Sequence, residues 1–121
     1  MAGTRGIVLL AHGSRDPLWR QPMQQVATRM REYDANVLVT CAYLELARPD
    51  LATATAQLLT QGARSISVVP MFLGVGLHVR EDLPRLVAEV KALHPHLELT
   101  LQPAIGEDSR MVNLMAQIAL L

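Results

Sequence analysis

The chain has 121 residues, 50% of them hydrophobic, with 11 basic and 11 acidic side chains and a formal net charge of zero. This length predicts one domain over residues 1–121, which buries a core without disulfides or a structural metal. The balanced charge provides no polybasic face, which argues against nucleic acid or an anionic membrane as the main partner.

The cysteine content and the apolar runs favour the cytoplasm. Cys41 is the only cysteine, so no intrachain disulfide is expected. Residues 1–6 lack the pattern of a signal peptide, and no apolar run approaches the roughly 20 residues that span a bilayer. We therefore expect a cytoplasmic protein that does not insert into membranes.

Four short apolar runs alternate with stretches of helical periodicity. The runs are typical of strands and cover residues 6–11, 37–44, 65–72 and 97–101. A second helix is predicted from Asp50, a favourable anion at a helix start, to Gly62, a typical C-terminal glycine. The first helix precedes it, and its predicted apolar face consists of Trp19, Met23, Val26, Met30 and Tyr33.

Two further helices complete the pattern. The third is predicted to begin near Pro84 with Asp82 as a cap, because proline is tolerated in the first helical turn. Its predicted buried face consists of Leu86, Val87, Val90 and Leu93. The last helix is predicted to begin near Asp108 or Ser109 and to bury some of Met111, Val112, Met115 and Ile118.

The order of elements is a strand followed by a helix, four times. This alternation predicts an α/β fold, a flavodoxin-like three-layer sandwich with a four-stranded parallel sheet and helices on both faces. In such sheets ligands bind beyond the carboxyl ends of the strands. Residues that directly follow each strand are therefore the candidates for function.

Side chains that can bind a metal ion follow three of the strands. His12 follows the first strand, Glu45 the second, and His78 the third. Two imidazole nitrogens and one carboxylate suit a divalent Co, Ni, Fe or Zn ion and leave positions open for a substrate. Alternatively, His12 caps a helix or bonds a loop, and His78 and Glu45 are simply solvated. His94 and His96 precede the fourth strand and are expected at the opposite edge.

Arginines and glycines are also concentrated after the strands. Arg15, Arg48 and Arg80 are candidates for pairing with ligand carboxylates, although ordinary surface charges explain them equally well. Gly13 permits a close backbone approach to a ligand, and Gly74 and Gly76 give their loop freedom to move, although simple turn geometry is an equal alternative. No phosphate loop, complete dinucleotide fingerprint, His-Glu-x-x-His or Cys-x-x-Cys is present, so no nucleotide is expected.

Four segments occur in an order that is more specific than any single histidine. They are LLAHGSRDP (9–17), AYLELARPD (42–50), QGAR (61–64) and VVPMFLGVGLHVREDLP (68–84). Together they resemble the small sirohydrochlorin cobaltochelatases of the class II tetrapyrrole chelatase family. The resemblance implies ATP-independent insertion of a divalent metal into sirohydrochlorin, with Co²⁺ for the cobalamin route and Ni²⁺ or Fe²⁺ as alternatives.

The resemblance also implies roles for individual residues. The histidines at 12 and 78 would bind the metal and the acidic residue at 45 would assist, while a homodimer would imitate the two lobes of larger relatives. Imidazole and carboxylate groups both hold M²⁺ and accept the pyrrole protons that insertion releases. Arg15, Arg48 and Arg80 are candidates for orienting the carboxylates of a sirohydrochlorin-like tetrapyrrole, and the loop 73–77 for a wall or lid.

Two other classes of function remain open at this stage. The first is a non-catalytic carrier that uses His12 and His78 to deliver a metal or a tetrapyrrole. The second is an interaction module that binds a small anion at the helix N-terminus after Gly13.

Overall fold

A computed structural model describes residues 4–121 as a parallel sheet between two layers of helices. Short 3₁₀ turns at Pro17–Arg20 and Ile105–Glu107 precede the first and last helices. The strands are β1 (Thr4–Ala11), β2 (Leu38–Tyr43), β3 (Ala63–Pro70) and β4 (Glu98–Leu101). The helices are α1 (Gln21–Tyr33), α2 (Leu51–Thr60), α3 (Leu77–Leu93) and α4 (Ser109–Ala119).

The strands are arranged in the order β2-β1-β3-β4, and every pairing is parallel. Val8 of β1 lies opposite Thr40 of β2 on one side and Val68 of β3 on the other. β1 is therefore central, and it is buried from Gly6 to Ala11. The predicted α/β class and the parallel four-stranded sheet are confirmed, and each predicted strand agrees with the structure to within two residues.

Alternation along β1 divides the core between the two faces of the sheet. Ile7 and Leu9 point toward α1, while Val8 and Leu10 point toward α2 and α3. Burial of both faces explains why β1 reads as an unbroken apolar run rather than as an alternating one. The second face carries the larger core, which includes Leu51, Leu58, Leu83, Val87 and Val90.

Capping residues set both ends of α2 and the start of α4 where the sequence predicts them. The Asp50 carboxylate accepts a hydrogen bond of 2.8 Å from the Thr53 backbone N–H, and this bond lowers the pKa of the carboxyl group. Gly62, with φ of +107°, follows the end of α2. The Asp108 carboxylate accepts a bond of 2.8 Å from the Arg110 backbone N–H at the start of α4.

The predicted start of α3 is wrong. The helix begins at Leu77 after Gly76, and Pro84 lies inside it. Leu83 is only 4% exposed and packs on the core together with Val87 and Val90, so tertiary contacts hold the turns on both sides of the proline. Asp82 forms an ion pair with Arg85 at 3.0 Å instead of capping the helix.

The predicted burial of Leu93 is wrong, and the predicted apolar face of α1 is only partly buried. Leu93, the last residue of α3, is 67% exposed. On α1 only Met23 and Ala27 are buried, whereas Val26 lies beside that stripe and Tyr33 is 83% exposed at the helix end. Trp19 belongs to the preceding 3₁₀ turn, where its ring lies 6.0 Å from that of Tyr43.

Helix α4 departs furthest from its predicted packing. None of its residues is buried, because it follows the edge strand β4 and its main contacts are with the 3₁₀ turn Ile105–Glu107. Within residues 4–121, no helix combines the length and the apolar content needed to cross a bilayer.

Candidate functional site

Backbone hydrogen bonds hold the loops after β1 and β2 together. The Leu44 N–H donates to the Ala11 carbonyl at 3.0 Å, and the Glu45 N–H donates to the His12 carbonyl at 2.9 Å. The pairing of β1 with β2 thus continues past both strand ends. His12 and Glu45, which lie far apart in sequence, are adjacent along this extension.

Gly13 is the position where the two loops approach most closely. Its φ is +113°, and a Cβ atom there would overlap the carbonyl oxygen of Glu45. Only glycine combines this backbone angle with the missing side chain. The close approach at Gly13 is therefore to the backbone of Glu45, and an approach to a ligand at this position stays a prediction. Leu46 then turns the chain with φ of +62°, a left-handed conformation that is uncommon for a non-glycine residue.

The imidazole of His12 rests on an aromatic ring. The His12 and Phe72 rings stack with centroids 4.3 Å apart and planes 30° apart. Phe72 is 6% exposed, whereas His12 is exposed to solvent. The stack gives the histidine an orientation. From the sequence, Phe72 was predicted only as the last residue of the third strand, although its place near the end of β3, like that of His12 after β1, was an available signal.

A glycine also fixes the loop after β3. The Gly106 N–H donates to the Phe72 carbonyl at 2.9 Å, and a Cβ atom at Gly106 would overlap the Leu73 backbone. The loop is therefore held at one end by the segment that follows β4. Three leucines near this edge are largely exposed, with values of 51% for Leu46, 72% for Leu73 and 57% for Leu77.

His78 lies in the first turn of α3 and is exposed. Its neighbour Val79 lines a cleft of about 250 Å³, and Leu44, the neighbour of Glu45, lines the same cleft. The first turn of α3 thus faces the end of β2. The segments that carry His12, Glu45 and His78 converge at the carboxyl edge of the sheet, as the strand order requires.

The three side chains do not form a ready metal cluster. Among residues 4–121, no three His, Cys, Asp or Glu side chains lie close enough to hold one ion. Glu45 and His78 are exposed, so core packing does not fix their rotamers, whereas His12 is oriented by its stack on Phe72. The structure therefore brings the three segments together without assembling the three ligating groups, and metal binding by these residues stays a prediction.

The candidate arginines are exposed at the same edge. Arg15 follows β1, and Arg80 lies in the first turn of α3, two residues after His78. Arg48 is near enough to Asp50 to help lower the pKa of that carboxyl group, after the larger effect of the Thr53 hydrogen bond. Within the described chain, none of the three arginines forms an ion pair, which leaves them accessible to a ligand.

The other two histidines lie at the opposite edge, as predicted. His94 follows the end of α3, and His94 and His96 line a cleft of about 490 Å³ together with Arg64 near the start of β3. His94 and His96 therefore lie at the edge of the sheet opposite the candidate site.

Comparison with known proteins agrees with the resemblance seen in the sequence. A sirohydrochlorin cobaltochelatase of Saccharolobus solfataricus is 30% identical over 118 residues, covering 93% of this chain and 91% of the relative. The crystal structure of a cobalamin biosynthesis CbiX protein from Marinobacter aquaeolei VT8 matches with a TM-score of 0.82 and 33% identity, covering 96% of this chain and 94% of that chain.

A larger protein contains the same fold. The cobalt complex of the sirohydrochlorin chelatase SirB from Bacillus subtilis matches with a TM-score of 0.81 at 24% identity. The match covers 97% of this chain but 50% of SirB, and it supports the fold alone. The model of the CbiX family matches residues 6–119. Taken with the motifs at 9–17 and 68–84 and the identity to curated relatives, this match shows that the chain belongs to the CbiX family.

Proposed function

We propose that this protein inserts a divalent metal, Co²⁺, into sirohydrochlorin without using a nucleotide. The observation that carries the proposal is the convergence of the His12, Glu45 and His78 segments at one sheet edge. The chain belongs to the CbiX family, and a relative 30% identical to it is named sirohydrochlorin cobaltochelatase.

The proposed reaction exchanges one M²⁺ ion for two pyrrole protons. Two N–H bonds of the macrocycle break, their electron pairs coordinate the metal, and the two protons pass to a base and then to water. His12 and His78 hold the metal before transfer, while Glu45 accepts protons or completes the coordination. No electron is transferred, so the step requires neither an oxidant nor a reductant.

The exposure of these residues suits a large, flat substrate. A tetrapyrrole reaches only an open edge, and His12, Glu45 and His78 are all exposed there. Leu46, Leu73 and Leu77 offer apolar contacts to the macrocycle face, which is the usual composition of a ligand site. Arg15, Arg48 and Arg80 offer bidentate donors to the carboxylates at its rim.

Metal choice, oligomeric state and compartment are parts of the same proposal. Two imidazoles and a carboxylate also accept Ni²⁺ and Fe²⁺, so cobalt rests on the names of the relatives rather than on the donor set. We propose a homodimer as the working form. The single free Cys41 fits a reducing compartment such as the cytoplasm.

The test is metal insertion followed by the visible absorption of sirohydrochlorin. Wild-type protein in catalytic amounts should convert many equivalents with Co²⁺, whereas His12→Ala and His78→Ala should fall to the protein-free rate. A matched control is the double variant His94→Ala/His96→Ala, which removes two imidazoles from the opposite edge and should keep wild-type turnover. Parallel reactions with Ni²⁺ and Fe²⁺ rank the metals.

Two outcomes would contradict the proposal. If wild-type protein is no faster than the protein-free control with all three metals, the protein is not a chelatase. If it binds metal or tetrapyrrole in stoichiometric amounts without turnover, it is a carrier.

A further inference from the structure

Leu46 is a bulky residue in a backbone conformation that usually belongs to glycine. Its φ of +62° lies in the left-handed region, and within residues 4–121 it is the only residue other than glycine with a positive φ. A side chain in this region costs free energy, and asparagine and aspartate are among the residues that tolerate it best. Leucine is therefore an unexpected residue at this position.

Hydrogen bonds on both sides of Leu46 impose the turn. The Glu45 N–H donates to the His12 carbonyl at 2.9 Å, and the Tyr43 N–H donates to the Pro49 carbonyl at 3.0 Å. The chain must therefore reverse its direction between Glu45 and Pro49. This geometry explains the left-handed backbone but not the leucine side chain, since glycine or asparagine would turn the chain with less strain.

The core of the protein does not account for the side chain either. Leu46 is 51% exposed, and it belongs to neither of the two buried clusters that pack on the faces of the sheet. Leu44 packs against one of these clusters and Ala47 against the other. The fold thus gains little from leucine at position 46 that would offset the backbone strain.

A single exposed leucine needs no special explanation on a protein surface. Leu46 differs because it is strained and because it directly follows Glu45, one of the three candidate metal ligands. Consecutive Cα atoms are about 3.8 Å apart, so the Leu46 side chain begins beside the candidate site. Strained residues cluster at ligand sites, where contact with the ligand offsets the cost of the conformation.

We propose that Leu46 is a substrate-contact residue, whose side chain packs against the flat apolar face of the tetrapyrrole beside Glu45. The inference rests on the proposed function and deepens it, because it assigns the leucine at position 46 to the substrate and not to the fold. Leu73 and Leu77, the other exposed leucines of this edge, have no positive φ, so strain distinguishes Leu46 from both. A branched aliphatic side chain removes the face of a macrocycle from water, which an amide at position 46 would not do.

Leu46→Asn tests this contact, because asparagine tolerates the left-handed backbone but lacks the apolar surface. Binding of sirohydrochlorin to metal-free protein, followed by visible absorption, should weaken roughly 4- to 12-fold. This is the factor expected when the exposed half of a leucine side chain loses its apolar contact. In turnover with Co²⁺ the KM should rise by a similar factor while kcat changes by less than about twofold, since the contact is the same before and during insertion. Leu46→Met keeps an apolar side chain and should restore binding to within about threefold of the wild type.

Urea unfolding separates a role in binding from a role in the fold. In Leu46→Asn, relief of the strain and loss of the part of the side chain that its own chain covers have opposite signs and similar sizes. The urea midpoint should therefore change little. Leu93→Asn is the matched control, since Leu93 is 67% exposed at the end of α3 and lines the cleft of His94 at the opposite edge. It should bind sirohydrochlorin like the wild type.

Three results would overturn the inference. The first is a Leu46→Asn variant that binds sirohydrochlorin as tightly as the wild type. The second is a Leu46→Asn variant that does not fold or whose urea midpoint falls far below that of the wild type, because the side chain would then serve the fold. The third is wild-type protein that does not bind sirohydrochlorin at all. Wild-type protein that binds sirohydrochlorin without turnover contradicts only the chelatase proposal, and a normal turnover with unchanged binding by Leu46→Asn contradicts only the contact at Leu46.

Discussion

Gly13 and Gly62 share a backbone conformation but not an environment. Their φ angles are +113° and +107°, yet a methyl group at Gly13 would overlap the Glu45 carbonyl, whereas at Gly62 it would meet nothing within 4 Å. Alanine at either position is forced into a conformation that L-residues avoid. Only at Gly13 must a neighbouring loop also move.

The two contributions to the free energy of unfolding can be separated. Backbone strain at a positive φ costs about 1–3 kcal/mol, which is the whole expected effect of Gly62→Ala. Overlap with backbone adds about 1–3 kcal/mol, so Gly13→Ala should cost about 2–6 kcal/mol. Gly106→Ala isolates the overlap, because Gly106 meets the Leu73 backbone without a positive φ, and should cost about 1–3 kcal/mol.

Urea unfolding of the three variants and the wild type measures these costs. The midpoint should fall in all three while the slope stays constant, which indicates a change in stability and not in the denatured state. Gly13→Ala should also slow Co²⁺ insertion under conditions where it is folded, because separating the loops breaks the bond between the Glu45 N–H and the His12 carbonyl. Gly62→Ala, at the amino edge, should keep wild-type turnover.

Equal destabilisation by Gly13→Ala and Gly62→Ala would show that the overlap with the Glu45 carbonyl has no energetic cost. Full turnover by Gly13→Ala would show that the two loops can separate without any effect on the candidate site.

Three other perturbations address the stack, the buried thiol and the cap of α4. Phe72→Leu removes the ring beneath His12; insertion should slow, and the proton NMR resonances of His12 should lose the ring-current shift of the stack. Normal turnover by Phe72→Leu would show that metal insertion does not require the stack of His12 on Phe72. Burial raises the pKa of the Cys41 thiol, so iodoacetamide at pH 8 should alkylate folded protein more slowly than protein unfolded in urea, and equal rates would contradict that burial. Hydrogen bonds from Arg110 lower the pKa of Asp108 to about 2. A lowered pKa stabilises the fold above the ordinary value of 3.8, and this contribution is lost as the pH falls toward 2. The urea midpoint of Asp108→Asn should therefore approach that of the wild type between pH 6 and pH 2, and a constant difference would contradict this.

Local signals in the sequence were sufficient for the sheet and for one helix. The apolar runs located all four strands, and Asp50 and Gly62 marked the two ends of α2. Local signals failed to locate the start of α3. Gly76 caps that helix without a side-chain hydrogen bond, and Pro84, which lies inside the helix, has the appearance of a first-turn proline in the sequence. What holds the first turns of α3 is the packing of Leu83 on the core, which depends on residues distant in sequence.

Periodicity also has a limit that α4 illustrates. The spacing of Met111, Met115 and Ile118 identifies an apolar face, but the sequence of the helix does not indicate which surface packs against that face. The burial predicted for some of these residues is wrong, because α4 follows the edge strand and its main contacts are with the 3₁₀ turn Ile105–Glu107.

For the candidate site, topology was predictable and side-chain geometry was not. The parallel direction of the strands, which the alternation of strands and helices predicts, places the segments of His12, Glu45 and His78 at one edge. The distances among their side chains depend on loop conformations, such as the close contact of Gly13 with the Glu45 backbone and the left-handed conformation of Leu46. They also depend on the rotamers of these exposed side chains. The stacking of His12 on Phe72 likewise requires the register of β1 against β3.

The central position of β1 has a consequence for how the chain folds during synthesis. β1 pairs with β2 and β3, and a helix separates each pair of neighbouring strands, so the sheet contains no hairpin and every pairing is non-local. After β2 has docked, the other edge of β1 stays unpaired until α2 and β3 have been made. At roughly 5–20 residues per second this interval lasts on the order of seconds. During it the central strand of the sheet, which is buried in the folded protein, presents an unpaired edge, and such an edge promotes pairing with other chains.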